Sequence, residues 1–178
     1  IAAANDPKRN LVGAAPKADI MSLRVCEGGC SYTSIIRGLY KAFYNGKVIP
    51  DVVNMSLGSH QQYKRDIFSY IFNDLSAKFG TIFFISASNN GPGFRSLNDF
   101  GNIGPMVMVG ANASRKTLEV QYNLPAGAEI EDENLLFFSS LGPSYTGEMK
   151  PNIIAPGGAI ASIEAAQGYM AHMNGTSM

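Results

Sequence analysis

The chain has 178 residues, a length that suits one domain, and its 46% apolar content is enough for a real core. Lys plus Arg and Asp plus Glu stand at 14 each, so the balance gives no electrostatic case for a nucleic acid or an anionic membrane as partner. The longest apolar run, around 82–87, is far shorter than a bilayer span, and no charged-then-apolar leader opens the chain.

In chain order, Ala18 to Val25 reads as a strand. Cys26 and Cys30 then flank Glu27-Gly28-Gly29, a segment pliable enough for a small disulfide if the alpha carbons fall within about 7 Å. Two unlinked loop thiols are an equally open alternative, and zinc fits less well because no second Cys or His pair stands at ligand spacing. Ser31 or Thr33 can cap a helix whose apolar face is Ile35, Ile36, Leu39, Tyr40 and Phe43, with Gly46 ending it. Asp51 to Leu57 is a second strand. A helix through Ile67, Phe68, Ile71, Phe72, Leu75 and Phe79 follows, stopped by Gly80.

Thr81 to Ala87 is apolar on successive positions rather than alternating, as expected of a parallel strand covered on both faces. Met106 to Gly110 supplies another short strand. Residues 111–138 differ in character: Glu129, Glu131, Asp132 and Glu133 precede an apolar stretch, and the segment reads as a solvated hairpin or insertion. Such an acidic loop is usually a wet surface, with calcium or amine binding as the sharper alternative. The order strand, helix, strand, helix, strand, strand implies an α/β fold. Its expected form is three-layered, a mostly parallel twisted sheet with helices on both faces.

Ligands of such sheets sit beyond the carboxyl ends of the strands. Two polar clusters fall there, Asn54-Met55-Ser56-Leu57-Gly58 and Ser86-Ala87-Ser88-Asn89-Asn90-Gly91-Pro92, although the same residue types also make ordinary turns. Near the chain's end, Asn174-Gly175-Thr176-Ser177-Met178 is a small-residue turn that presents a hydroxyl. A serine is a poor nucleophile without a base, an orienting group for that base, and donors for the oxyanion, so Ser177 cannot act alone. An ordinary cap or loop serine is the plain alternative.

These segments, with Phe138-Ser139-Ser140-Leu141-Gly142-Pro143 between them, stand in one order that resembles the subtilisin-like serine peptidases. Lys150 to Gly157 also resembles the family's approach to its serine, and the likeness spans nearly the whole chain. The Asn89-Asn90-Gly91-Pro92 detail, the acidic insertion and the segment 155–162 resemble the tripeptidyl-peptidase II branch most. By this resemblance Ser177 matches the nucleophile, with its N–H as one oxyanion donor, and Asn89 matches the side-chain donor. Ser56, Leu57 and Gly58 match one wall that pairs with an extended peptide. Ala87 and Ser88 match the other side of the primary specificity pocket. The implied partner is a peptide or protein substrate, and no cofactor or metal is implied.

The departures are equally specific. The family carries its triad Asp in an Asp-Ser/Thr-Gly turn and its triad His in a His-Gly-Thr helix start, and neither motif occurs in these 178 residues. Ile1-Ala2-Ala3-Ala4 resembles the far end of the helix that such a His would head. His60 follows the edge segment and would sit at a cleft rim, His172 precedes the serine turn at a position the family does not use as base, and exposed loop histidines are expected. Ser88 stands where the family usually has Gly. Asn5 to Val12 covers a stretch where some relatives bind calcium, but Lys8 and Arg9 argue against a metal here.

The chain is therefore expected to be an internal, incomplete part of a peptidase catalytic domain, inactive by itself. Apolar sheet surface left uncovered would favour self-association. A peptide-holding module without catalysis is the alternative. A nucleotide-binding sheet is weaker, since Gly91-Pro92-Gly93-Phe94-Arg95-Ser96 lacks the third small residue of the dinucleotide fingerprint.

Overall fold

A computed structural model of the chain describes residues 1–58, 66–98, 100, 103–164 and 168–178, with the side chain of Asp66 excepted. His60 lies outside the described residues. The elements run β1 (Asn5–Asp6), β2 (Leu11–Val12), α1 (Tyr32–Tyr44), β3 (Val52–Met55), α2 (Asp66–Phe79), β4 (Ile82–Ser86) and β5 (Met106–Ser114), then α3 (Arg115–Gln121), β6 (Glu133–Leu135), β7 (Ile153–Pro156), β8 (Ile160–Ile163) and β9 (Met170–Met173).

The central sheet is parallel through β3, β4, β5 and β7. Val109 pairs with Ser86 on one side and Ile153 on the other, which puts β4 and β7 on opposite edges of β5. Asn112 likewise pairs with both Leu135 and Pro156, so antiparallel β6 continues the edge that β4 leaves.

Alternation along β5 divides the molecule into layers. Met106 and Met108 join Phe83 and Ile85 in a core covered by Ile35, Leu39 and Phe43 of α1 and Phe68, Phe72 and Leu75 of α2. Phe83 is the junction: its ring lies 5.0 Å from Phe72, edge to face as aromatic pairs favour, and 6.1 Å from Phe43, at a tilt. Ala111 and Ala113 face the other way, where Leu118 of α3, Leu136 and Phe138 close a second, smaller cluster. Helices thus cover both faces, with α1 and α2 on one and short α3 on the other.

Helix boundaries follow local chemistry. Ser31 caps α1 by accepting a hydrogen bond from the Ser34 amide at 3.1 Å, an arrangement worth about 1 kcal/mol. Gly80, at φ +73°, turns the chain out of α2 in the left-handed conformation that glycine adopts without strain.

Several expectations need correction. Ala18 to Val25 forms no strand; Leu23 and Val25 pack half-buried against the main core, but the segment lies outside the hydrogen-bonded order, which ends at β3. Side-chain burial there is satisfied without a ladder. Ile1 to Ala4 is not helical: the Gly13 and Ala15 amides donate to Ala4 and Ala2 carbonyls, extending the β1–β2 pairing. Tyr40 is 56% exposed and stacks on Tyr44 instead of entering the core. The supposed insertion also begins later than expected, because β5 continues to Ser114 and buries Ala111 and Ala113. Cys26 and Cys30 are joined in a disulfide across Glu27-Gly28-Gly29.

Candidate active site

Three chain segments far apart in sequence meet at the carboxyl ends of β3, β4 and β7. The chain leaving β4 after Ser86 delivers Ala87, whose amide donates to Val109 and whose carbonyl accepts from Asn98, so it leaves the sheet on a fixed path. Ser88 then adopts φ +92°, a conformation unfavourable for a residue with a side chain. Its hydroxyl accepts from the Asn90 side chain at 2.7 Å, and its carbonyl accepts from the Ser140 amide at 3.0 Å. The family-typical glycine would avoid the strain; here local hydrogen bonds hold it.

Asn89 follows from this bend. Its Oδ1 accepts from the Thr176 amide at 2.9 Å and from the Thr176 hydroxyl at 3.0 Å. With Oδ1 occupied twice, Nδ2 is the end left to donate elsewhere. The same side chain lies beside Gly175, where an added Cβ would stand 3.5 Å from Nδ2. Asn89 is thereby bonded to Thr176, the residue before Ser177, across 87 positions of sequence. Such an arrangement can offer a hydroxyl and an amide donor to one carbonyl group.

The first wall reaches the same turn from the other side. Asn54 Nδ2 donates to Ser56 Oγ at 3.1 Å, and Ser56 Oγ donates to the Ser177 carbonyl at 3.0 Å. Leu57 packs against the main core, while Gly58 lies flat on the side chain of Asn98, where an added Cβ would come within 2.7 Å of Nδ2. Ser56 thus touches the turn by its side chain as well as lining the edge.

Sequence reasoning missed Asn98. It is 1% exposed, donates through Nδ2 to the Ser86 carbonyl at 2.5 Å, accepts from the Phe100 amide at 3.0 Å, and donates its own amide to Ala87. It therefore bridges the Gly58 wall and the Ala87 wall. No motif flags it, since a buried Asn between Leu97 and Phe100 has the signal of any loop residue.

The Phe138 to Leu141 segment serves as a buttress. Ser139 Oγ accepts from the Ala111 amide and Ser140 Oγ from the Asn90 amide, both at 3.0 Å, and both serines are essentially fully buried. Gly91 donates to the Phe138 carbonyl, and any Cβ there would collide with the backbone of residues 137–139. The serine turn itself is rooted on the loop after β7: the Gly175 amide donates to Gly157, whose own amide donates to Asn112 of β5.

His172 lies on β9, opposite Ala161, and is exposed; among the described residues no hydrogen bond joins it to Ser177. Among the described residues no group of three or more His, Cys, Asp or Glu side chains could hold a metal, and no helix is long and apolar enough to cross a membrane. In the acidic segment, Glu133 instead accepts from Asn112 Nδ2 at 2.6 Å, and Asp132 pairs loosely with Arg115 at 3.7 Å.

The sequence pattern of the Subtilase family matches residues 1–178. The chain is 35% identical to pyrolysin of Pyrococcus furiosus over 93% of its length, and 31% identical to tripeptidyl-peptidase 2 of Drosophila melanogaster over its whole length. It spans 13% of each of those two relatives. Among solved structures it resembles the S41 psychrophilic protease, with a TM-score of 0.70 at 25% identity over 94% of this chain and 52% of that one. It also resembles sphericase, with a TM-score of 0.72 at 22% identity over 96% of this chain and 53% of that one. The second likeness concerns the fold.

Proposed function

The chain belongs to the subtilase family, and from that premise we propose that it supplies the nucleophile, the oxyanion site and the substrate walls of a serine peptidase that cleaves peptide bonds through an acyl-enzyme. The observation that supports this is the pair of hydrogen bonds from Thr176 to Asn89 Oδ1, which ties the Asn89 side chain to the residue before Ser177 and leaves Nδ2 beside Gly175. Ser177 Oγ attacks the scissile carbonyl, and the carbonyl oxygen, as it gains charge, is received by Asn89 Nδ2 and the Ser177 amide. In subtilisin itself, losing such a side-chain donor costs about a hundred- to a thousandfold in turnover. Collapse of the tetrahedral adduct expels the amine and leaves an ester on Ser177, which water then hydrolyses.

Proton transfer in both halves needs a base oriented by an acid. The family's Asp-Ser/Thr-Gly and His-Gly-Thr motifs are absent from these 178 residues, so the groups that do this work belong to other parts of the protein. By themselves these residues form an incomplete catalytic domain. Substrate binds as an added strand along Ser56 to Gly58, with Ala87 and Ser88 opposite, so main-chain pairing makes recognition tolerant of side chains. The relation to pyrolysin and tripeptidyl-peptidase 2 fits a peptide or protein as the substrate class.

The test uses two proteins. The full-length protein, treated with a fluorophosphonate, is expected to carry the label on Ser177 by peptide mass spectrometry, and the Ser177→Ala variant is expected to carry none. The isolated 178-residue chain is expected to show negligible hydrolysis of labelled casein. Serine-inhibitor-sensitive hydrolysis by the isolated chain would contradict the division of labour. A full-length protein that binds peptides but neither labels nor hydrolyses would favour a peptide-holding module instead.

A further inference from the structure

One residue of the segment between β5 and β6 reaches the serine turn, although that segment has no part in the chemistry above. Tyr122, the C-cap of α3, donates its hydroxyl to Asn174 Oδ1 at 2.5 Å. The same Oδ1 accepts from the Ala159 amide at 2.7 Å, and Ala159 is held at φ +51°, in the left-handed region. The Tyr122 hydroxyl also overhangs Gly158, where an added Cβ would stand 3.3 Å from it. A side chain at Gly158 would therefore crowd the hydroxyl.

Two lines run from β5 to the turn that carries Ser177. The first is main-chain: Asn112 accepts from Gly157, and Gly157 accepts from Gly175. The second passes through α3, which begins where β5 ends, is capped by Ser114 and packs Leu118 against Ala111 and Ala113. It ends in the Tyr122 hydroxyl on Asn174. Asn174 is next to Gly175 and three residues before Ser177, so the second line fixes the entry to the turn while the first fixes its middle. A hydroxyl nucleophile must be aimed to within a fraction of an ångström, and small misplacement costs rate steeply.

From this geometry we infer that Tyr122 is a positioning residue for Ser177, acting through Asn174. This rests on the peptidase function proposed above. Tyr122 is 41% exposed, and its hydroxyl is the atom that makes the hydrogen bond to Asn174. Its removal affects the aim of the turn more than the stability of the domain.

The experiment measures fluorophosphonate inactivation of the full-length protein, separating the maximal rate from the half-saturating concentration, for wild type, Tyr122→Phe, Asn174→Ala and the double variant, with melting temperatures alongside. Tyr122→Phe is expected to lower the maximal rate about tenfold, with the half-saturating concentration and melting temperature little changed. In the Asn174→Ala background the same change is expected to have no further effect. An unchanged rate in Tyr122→Phe, or an undiminished effect in that background, would overturn the inference while leaving the peptidase function standing. So would a rate loss matched by a fallen melting temperature, since the effect would then be one of stability. Absence of labelling in the wild type would remove both.

Discussion

The serine turn and the amino-terminal hairpin are both built from short, largely irregular segments, yet they are held in opposite ways. Around Ser177 the bonds are long-range: Asn89 holds Thr176, Ser56 holds the Ser177 carbonyl, and Tyr122 holds Asn174. In the hairpin they are local: Asp6 accepts from the Lys8 and Arg9 amides and pairs with the Arg9 guanidinium, all within three residues and partly in solvent. A local device shapes a turn whatever the rest of the chain does. A long-range device exists only once the sheet has brought strands together, so the geometry of the site is a property of the whole fold. The site is therefore expected to respond to changes made far away in sequence, and the hairpin is not.

The largest effect expected from that difference is at Asn89. In the full-length protein, Asn89→Ala removes the amide donor and both acceptor bonds to Thr176, and steady-state kinetics should show turnover falling about a hundred- to a thousandfold with KM little altered. A loss confined to KM would mean that Asn89 binds substrate and does not serve the oxyanion. Next comes Asn98. Asn98→Ala leaves the buried Ser86 carbonyl and Phe100 amide without their side-chain partners, and denaturant unfolding should report a loss of about 2–3 kcal/mol. No change in unfolding would show that the two walls do not need this bridge.

A smaller effect is expected at Ser56. Ser56→Ala breaks the exposed bond to the Ser177 carbonyl and the one from Asn54, each worth about 1 kcal/mol at most, and turnover should fall severalfold with little change in melting temperature. The smallest is in the hairpin. The Arg9 side chain, more than any other group, holds the Asp6 carboxyl below its usual range. A depressed carboxylate contributes stability above its unfolded pKa and loses it as pH falls through the folded value. Since both side chains meet solvent, Arg9→Ala should let the Asp6 titration, followed by NMR, rise toward the ordinary carboxylate range with no resolvable shift in melting temperature. A marked destabilisation would break the contrast between the two regions.

The same contrast explains what was legible in the sequence. Helices α1 and α2 and strands β3 and β4 follow from apolar spacing and from Ser31 and Gly80, which are local signals. The residues at the strand ends were legible because a small-residue turn, an Asn after a buried strand and a Ser-Leu-Gly edge form a recognisable order. What escaped was relational. Asn98 matters because Gly58 leaves room for it and Ser86 needs it, and Tyr122 because α3 brings it to Asn174; neither fact is written in the neighbouring residues. Ala18 to Val25 misled for the converse reason, since Leu23 and Val25 bury themselves with the spacing of a strand while, among the described residues, no strand pairs with the outer edge of β3.

The most direct measurement is a crystal structure of the full-length protein inactivated by a peptidyl fluorophosphonate. The expected result is a covalent bond to Ser177 Oγ with the phosphonyl oxygen about 2.7–3.1 Å from Asn89 Nδ2. An adduct on another residue, or an oxygen turned away from Asn89, would contradict the convergence of these two groups on one carbonyl.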